Sequence, residues 1–115
     1  MTNEEIRNIP NQKLNEMVTR IVKDAPNHKI DSDGVVLYRM DNSAPGGIDQ
    51  IFVEDYCSDA GLMLPLALSN GISIQCGMLG DFRAIKSPHS WEDRNYCRAA
   101  AVVFLKSRGG CDGEG

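Results

Sequence analysis

The run Ala99-Ala100-Ala101-Val102-Val103-Phe104-Leu105 constrains this chain more than any other feature. It is apolar nearly all round, so as a helix it has no face to offer water. Such a helix belongs at the centre of the fold, with other elements packed around it. Upstream, Ser90-x-x-Asp93 resembles a capping box with Asp in place of Glu. The last helix is therefore predicted from about Trp91 to Ser107.

The rest of the chain must supply the surroundings of that helix. Residues 1–9 are polar and read as a flexible N-terminus. Pro10 can open a helix, and Leu14, Met17, Val18 and Ile21 follow the i, i+3, i+4, i+7 rule. An amphipathic helix over 10–24 is predicted, ending at Ala25-Pro26 because a residue before proline avoids the helical region. Gly34 to Met40 is rich in β-branched and aromatic residues and reads as a strand. Asp41 to Gly47 has loop composition, and Ile48 to Glu54 reads as a second strand. Ser58 and Asp59 are helix N-caps for the apolar run that follows. Pro65 either kinks that helix or begins a shorter one. Asn70-Gly71 ends it, and Ile72 to Cys76 alternates at period two, as a strand does. Residues 77–90 read as a long connection of the kind that often carries function. The tail, 108–115, is Gly-rich and reads as disordered.

With 115 residues, 42% apolar and 24% charged, the chain is sized for one domain. The expected architecture is α+β. About three helices pack on a small, mostly antiparallel sheet of about three strands, within a single domain over 10–107. The C-terminal helix is central. Disordered, collagen-like and low-complexity classes are excluded by the composition.

The longest apolar stretches, 61–68 and 99–105, fall far short of the roughly 20 residues that span a bilayer. No secretory or lipidation signal is read at the ends, so a cytoplasmic protein with no membrane partner is expected. In that compartment Cys57, Cys76, Cys97 and Cys111 read as free thiols, and none of their spacings is C-x-x-C. Three sit among apolar neighbours, as small buried hydrophobes do. Cys111 lies in the Gly-rich tail and reads as exposed.

Net charge is −4, which opposes a chain whose main task is to coat nucleic acid. The charge is unevenly placed. Residues 81–108 hold six basic residues and three acidic ones. Arg83, Lys86, His89, Arg94 and Arg98 form the candidate anion-binding cluster, with Trp91, Tyr96 or Phe82 able to stack on a base. On the predicted last helix Arg94 and Arg98 are i, i+4 neighbours on one face. With the helix N-terminus they could hold a phosphate-bearing small ligand. The competing reading is a basic surface face or a subunit contact. Under the ligand reading, Arg94→Glu with Arg98→Glu is expected to abolish anion binding and leave the fold intact.

Other chemistry is weaker. Cys97 near a helix N-terminus, with His89 eight residues earlier, could serve a thiol enzyme, but a core Cys and a loop His explain both. His28 and His89 lack metal-ligand spacing, so no metal or cofactor is expected. Glu54-Asp55 and Glu92-Asp93 could do acid–base work, but adjacent carboxylates are more often solvated charge.

Three stretches then look familiar together. They are Leu14-Asn15; Asp55-Tyr56-Cys57-Ser58-Asp59-Ala60 leading through Pro65 to Asn70-Gly71-Ile72-Ser73-Ile74; and Asn95-Tyr96-Cys97-Arg98-Ala99-Ala100-Ala101-Val102-Val103-Phe104-Leu105. Gly80-Asp81-Phe82-x-Ala84 lies between the last two. This order, over roughly residues 10–107, resembles the NinX-like family of small proteins from tailed bacteriophages and prophages. Asn-x-x-Arg-Ala-Ala is its most specific element. The chain departs from the family pattern in placing Gly61-Leu62-Met63-Leu64 before Pro65, and Phe82 where Trp is common. The resemblance implies a phage accessory product in the host bacterial cytoplasm, and brings no catalytic residues to carry over.

The expectation is thus a non-enzymatic accessory protein that binds a small anionic nucleotide signal, or a host protein, and so counters host defence. The ligand residues would be Arg83, Lys86, His89, Trp91, Arg94 and Arg98, in a homo-oligomer. The alternatives are a small cysteine-dependent enzyme using Cys97 or Cys57, and an accessory factor in phage DNA recombination or replication.

Overall fold

The computed structural model describes residues 2–40 and 45–109. Four helices and six strands follow one another as α1 (Asn3–Arg7), α2 (Asn11–Val22), β1 (Lys29–Ile30), β2 (Val36–Met40), β3 (Ile48–Phe52), α3 (Ala60–Ser69), β4 (Ser73–Cys76), β5 (Phe82–Lys86), β6 (His89–Asp93) and α4 (Tyr96–Ser107). The fold is α+β. Two antiparallel sheets of three strands replace the single expected sheet, in the orders β1-β2-β3 and β4-β5-β6.

The apolar run behaves as its composition requires. Every residue from Cys97 to Leu105 on α4 is buried. The helix packs on β5 and β6 and against α2 and α3, so elements cover several of its sides. Leu14 and Val18 of α2, Met63 and Ala67 of α3, and Ala84 of β5 complete the core.

Several boundaries match the sequence patterns. The helix of residues 11–22 starts behind Pro10, which stands at the N-cap with φ −62°. Asp59 caps α3 by accepting from the Gly61 N–H. Pro65 lies inside α3, whose ten residues run through it. At its end Gly71 takes φ +71°, a left-handed turn that glycine adopts without strain.

Two further expectations fail. Residues 3–7 form a helix capped by Thr2, and Ile6 is fully buried in the core, so the first nine residues are not a featureless arm. The last helix begins at Tyr96, not Trp91. Residues 82–93 instead form the β5–β6 hairpin, turning at Ser87-Pro88. Asn95, not Ser90, caps α4, its side chain accepting from the Cys97 and Arg98 N–H groups. Of the expected loop at Asp41–Gly47, Pro45–Gly47 form a short 3-10 turn; residues 41–44, Cys111 and the tail from Gly110 lie outside the described residues.

The β1-β2-β3 sheet is tied to the C-terminal half of α2. Thr19 Oγ1 accepts from the Glu54 N–H at 3.2 Å. The Arg20 guanidinium donates to the carbonyls of Ala25, Pro26 and His28. Among the described residues no helix is long and apolar enough to cross a membrane.

Candidate functional site

The hairpin sorts the predicted ligand residues onto two faces. Strand side chains alternate, and residues directly opposite share a face. Lys86 faces His89, Ala84 faces Trp91, and Phe82 faces Asp93, all on the side of α4. Arg83 faces Glu92 on the opposite side, and the two side chains form an ion pair there. Arg83 therefore does not join Lys86, His89 and Trp91.

Arg94 and Arg98 do not share a helix face either, because Arg94 precedes the Asn95 cap. Its side chain is 96% exposed and lies 3.9 Å from Asp81. Arg98 is buried. It meets Asp93 at 3.2 Å, and its guanidinium donates to Asn11 Oδ1 and to the carbonyls of Ile6, Arg7 and Ile9. Those carbonyls are the open end of α1 and the chain just after it. Arg98 is thus a clamp that holds the N-terminal segment on α4. Arg98→Glu would set a carboxylate against three carbonyls and Asp93, so the expectation of an intact fold for that substitution is corrected.

The clamp belongs to a larger network. Asn15 donates to Asp55 Oδ1 and accepts from the Cys57 N–H, both at 2.9 Å. Asn95 donates to the Cys57 carbonyl at 2.6 Å, and its own N–H is held by Asp93 Oδ1 at 3.0 Å. Asn15, Asp55, Cys57, Asn95 and Arg98 are residues of the sequence stretches singled out above. Their hydrogen bonds join α1, α2, α4 and the 55–57 segment that leads into α3.

Three predicted residues do come together. Lys86 and His89 close the hairpin, and Trp91 follows on the same face. Trp91 is only 6% exposed. Arg7 Cζ lies 5.7 Å and Lys106 Nζ 5.1 Å from its ring centroid, within cation–π range. Trp91 Nε1 and His89 Nδ1 are buried without a hydrogen-bond partner. Most buried polar groups find one, and an unmatched group costs on the order of 1–3 kcal/mol.

Charge bookkeeping points to the same corner. The three acidic residues of segment 81–108 each pair with an arginine of that segment: Asp81 with Arg94, Glu92 with Arg83, Asp93 with Arg98. Lys86, Lys106 and Arg108 form no ion pair among the described residues, nor does Arg7. The unpaired positive charge therefore sits with the hairpin turn and the C-terminal end of α4. Arg7 and Lys106 were missing from the predicted ligand set. Lys106 carried a readable signal, as a cation in a last helical turn. Arg7 carried none, because its place depends on α1 folding back over β6.

The other candidates are resolved by geometry. Burial pushes the Cys57 thiol up to about 12 and raises that of Cys97, so both are protonated at neutral pH. Cys76 is exposed. Glu92 and Asp93 point to opposite faces of β6, Glu54 accepts from the Tyr56 hydroxyl, and Asp55 accepts from Asn15, so neither carboxylate pair works as a dyad. His28 Nε2 lies 2.9 Å from Asp49. Among the described residues no three His, Cys, Asp or Glu are grouped to hold a metal. A surface hollow of about 560 Å³ lies beneath the β4–β5 loop, where Gln75, Cys76 and Phe82 meet the Arg83–Glu92 pair. Its cation is already neutralised. No family model, curated protein or solved structure matches the chain.

Proposed function

We propose that this chain is a non-enzymatic binding protein that takes a small phosphate-bearing ligand, of the nucleotide class, at the Trp91 corner. The observation that carries the reading is the pair of unpartnered ring nitrogens, Trp91 Nε1 and His89 Nδ1, amid the unpaired cations Arg7, Lys86 and Lys106. Arg7 and Lys106 are long, flexible covers over the indole. An anion that draws them outward gains two charge-assisted partners and reaches nitrogens that are otherwise unmatched. The ligand set is Arg7, Lys86, His89, Trp91 and Lys106. Arg83, Arg94 and Arg98 leave it, because each is paired with a carboxylate. A phage accessory role, sequestering a host defence signal in the bacterial cytoplasm, rests on the motif resemblance and fits a ligand of this class.

Trp91 is the single tryptophan, so its emission reports on the site directly. Titration with inorganic phosphate, a nucleoside monophosphate, a nucleoside triphosphate and a cyclic dinucleotide is the test. A saturable change is expected that Arg7→Ala with Lys106→Ala weakens at least about tenfold, the loss of roughly 1.4 kcal/mol or more. Binding should also weaken as salt rises. No saturable change with any of the four, or one indifferent to the double substitution, would overturn the reading.

A second reading, capture of a host protein, is favoured by the β4–β5 loop. There Met78 and Leu79 are fully open to solvent at 102% and 91% exposure. Two neighbouring apolar side chains offered this way suit a protein contact. Met78→Ser with Leu79→Ser should then abolish co-purification of a host protein.

A further inference from the structure

Among the described residues the β1-β2-β3 sheet has an open face and an open edge, and they meet on β3. Val36, Tyr38 and Met40 of β2 stand opposite Phe52, Gln50 and Ile48 of β3, so these six share one face. The other face carries the buried Leu37, with Ile51 opposite it. On the first face Met40 is 73% exposed and Phe52 71%, with Ile48 exposed as well. A three-stranded sheet normally turns a polar face to water once the other is packed. Here the water-facing side is apolar.

The edge has a definite polarity. The Val53 N–H donates to the Val35 carbonyl, so these residues form a hydrogen-bonded antiparallel pair. Such pairs alternate, which makes Leu37–Ile51 and Arg39–Asp49 the next two. The backbone groups of Ile48, Gln50 and Phe52 therefore point away from β2. On the far side of β2, the Asp31 N–H bonds to the Val36 carbonyl, as the same alternation requires. β3 is thus an edge strand whose outward row is centred on Gln50.

We infer that β3 pairs with β3 of a second copy of this chain, antiparallel, about a two-fold axis at Gln50. In that register the Gln50 N–H of each copy donates to the Gln50 carbonyl of the other. The Phe52 N–H of each donates to the Ile48 carbonyl of the other. The row of outward groups is its own complement, as an isologous contact demands. Ile48 of one copy lies directly beside Phe52 of the other, so apolar side chains that stand in water cover one another. Charge also permits the pairing. Asp49 is the only charged residue of β3, and it is engaged within its own sheet by His28 at 2.9 Å and Arg39 at 3.8 Å. In this register Asp49 faces Ile51 of the second copy, so no like charges meet. Edge strands that avoid such pairing carry Lys, Pro or a bulge, and β3 has none of these.

The test uses the full chain in sedimentation velocity over a concentration series, with circular dichroism to verify folding. The wild type should sediment as a dimer that dissociates on dilution. Gln50→Pro removes an N–H that β2 does not use, so the protomer folds, and a proline on an outward edge position is tolerated. It should weaken the dimer by at least about a hundredfold through lost bonds and ring clash. Phe52→Lys should do the same by burying charge. Register is read by cysteine crosslinking in a Cys76→Ser, Cys111→Ser background. Gln50→Cys should form a disulfide-linked dimer, because both copies bring residue 50 to the axis. Ile48→Cys should not. A wild type that stays monomeric at every concentration overturns the inference and leaves the edge to an extended segment of another protein. A dimer that survives both Gln50→Pro and Phe52→Lys, or a Gln50→Cys chain that does not crosslink, overturns it as well.

Discussion

Arg98 shows how one side chain decides whether a cluster of cations is a site or a joint. In the sequence it is one of six basic residues in a segment with three acids. In the fold it is buried, and its donors are spent on Asp93, Asn11 and the last carbonyls around α1. Taking such a group out of water is costly, and only a full set of partners offsets the loss. Removing it strands Asp93 and the carbonyls together. Arg98→Ala should therefore destabilise by ~3–5 kcal/mol in urea unfolding, whereas Arg94→Ala, at a 96% exposed side chain, should shift stability by no more than about 0.5 kcal/mol. Both substitutions remove one positive charge, so an electrostatic surface role would make them alike. The thiols follow the same logic. Cys57, Cys76 and Cys97 all read as small hydrophobes, because their neighbours in sequence are apolar. The fold buries Cys57 and Cys97 but leaves Cys76 exposed at the end of β4, which corrects that reading for Cys76. In the Cys111→Ser chain, Cys76 alone should react with a disulfide reagent at pH 7, and the other two only after denaturation. Arg98 was illegible for the converse reason, since its partners Ile6, Ile9 and Asn11 lie some ninety residues away in the chain.

At the scale of elements, the decisive competition was over residues 82–93. Ser90-x-x-Asp93 satisfies the local rule for a helix start, and Trp91 can enter a helix. The period-two alternation that wins is visible only across the turn, once Phe82, Ala84 and Lys86 are set beside Asp93, Trp91 and His89. Asp93 still serves α4, but from outside it, by holding the Asn95 N–H at 3.0 Å. Asn95 does the capping, and it also donates to the Cys57 carbonyl in the turn that precedes α3. A lost N-cap costs ~0.5–2 kcal/mol, and the second bond adds to this. Asn95→Ala should therefore lower the thermal midpoint by several degrees, about what 1–3 kcal/mol gives in a chain of this size. Ser90→Ala, on the exposed face of β6, should leave it within a degree or two. The reverse ranking would restore the helix start at Ser90. The strands β2 and β3 and the helices α2 and α3 were legible because each carries its pattern within one stretch. β1 was not, for two residues are too few to show a period. The same holds for the Trp91 corner, which needs α1, β6 and the end of α4 at once.

Across the whole molecule, the motif stretches converge where α2, α3 and α4 meet, and three neutral acids gather there. Burial, helped by the hydrogen bond to Glu54, pushes the Tyr56 hydroxyl up to about 12. Burial also pushes the Cys57 thiol up to about 12 from an ordinary 9.0, and raises that of Cys97. A raised value means that the folded state holds the proton more tightly than the unfolded chain does. Below the unfolded values both states are protonated, and the contribution to stability is fully present. Above about pH 9 the unfolded thiols ionise while the folded ones hold their protons, and stability falls until the folded Cys57 value near 12 is passed. Tyr56 joins this loss above pH 10. At the acid end Glu16 behaves oppositely. Burial alone would raise its value, but the hydrogen bonds and charges of Lys13 and Arg20 outweigh that and lower it. Its contribution is present above its ordinary 4.5 and lost as pH falls through the lowered value. Urea midpoints should therefore stay level between about pH 6 and 8.5, then drop between pH 9 and 11. The Cys57→Ala chain starts lower, because a buried group is cut away, but its alkaline drop should be shallower. An alkaline slope unchanged in Cys57→Ala would mean that the junction of the three helices does not set the pH limit of the fold.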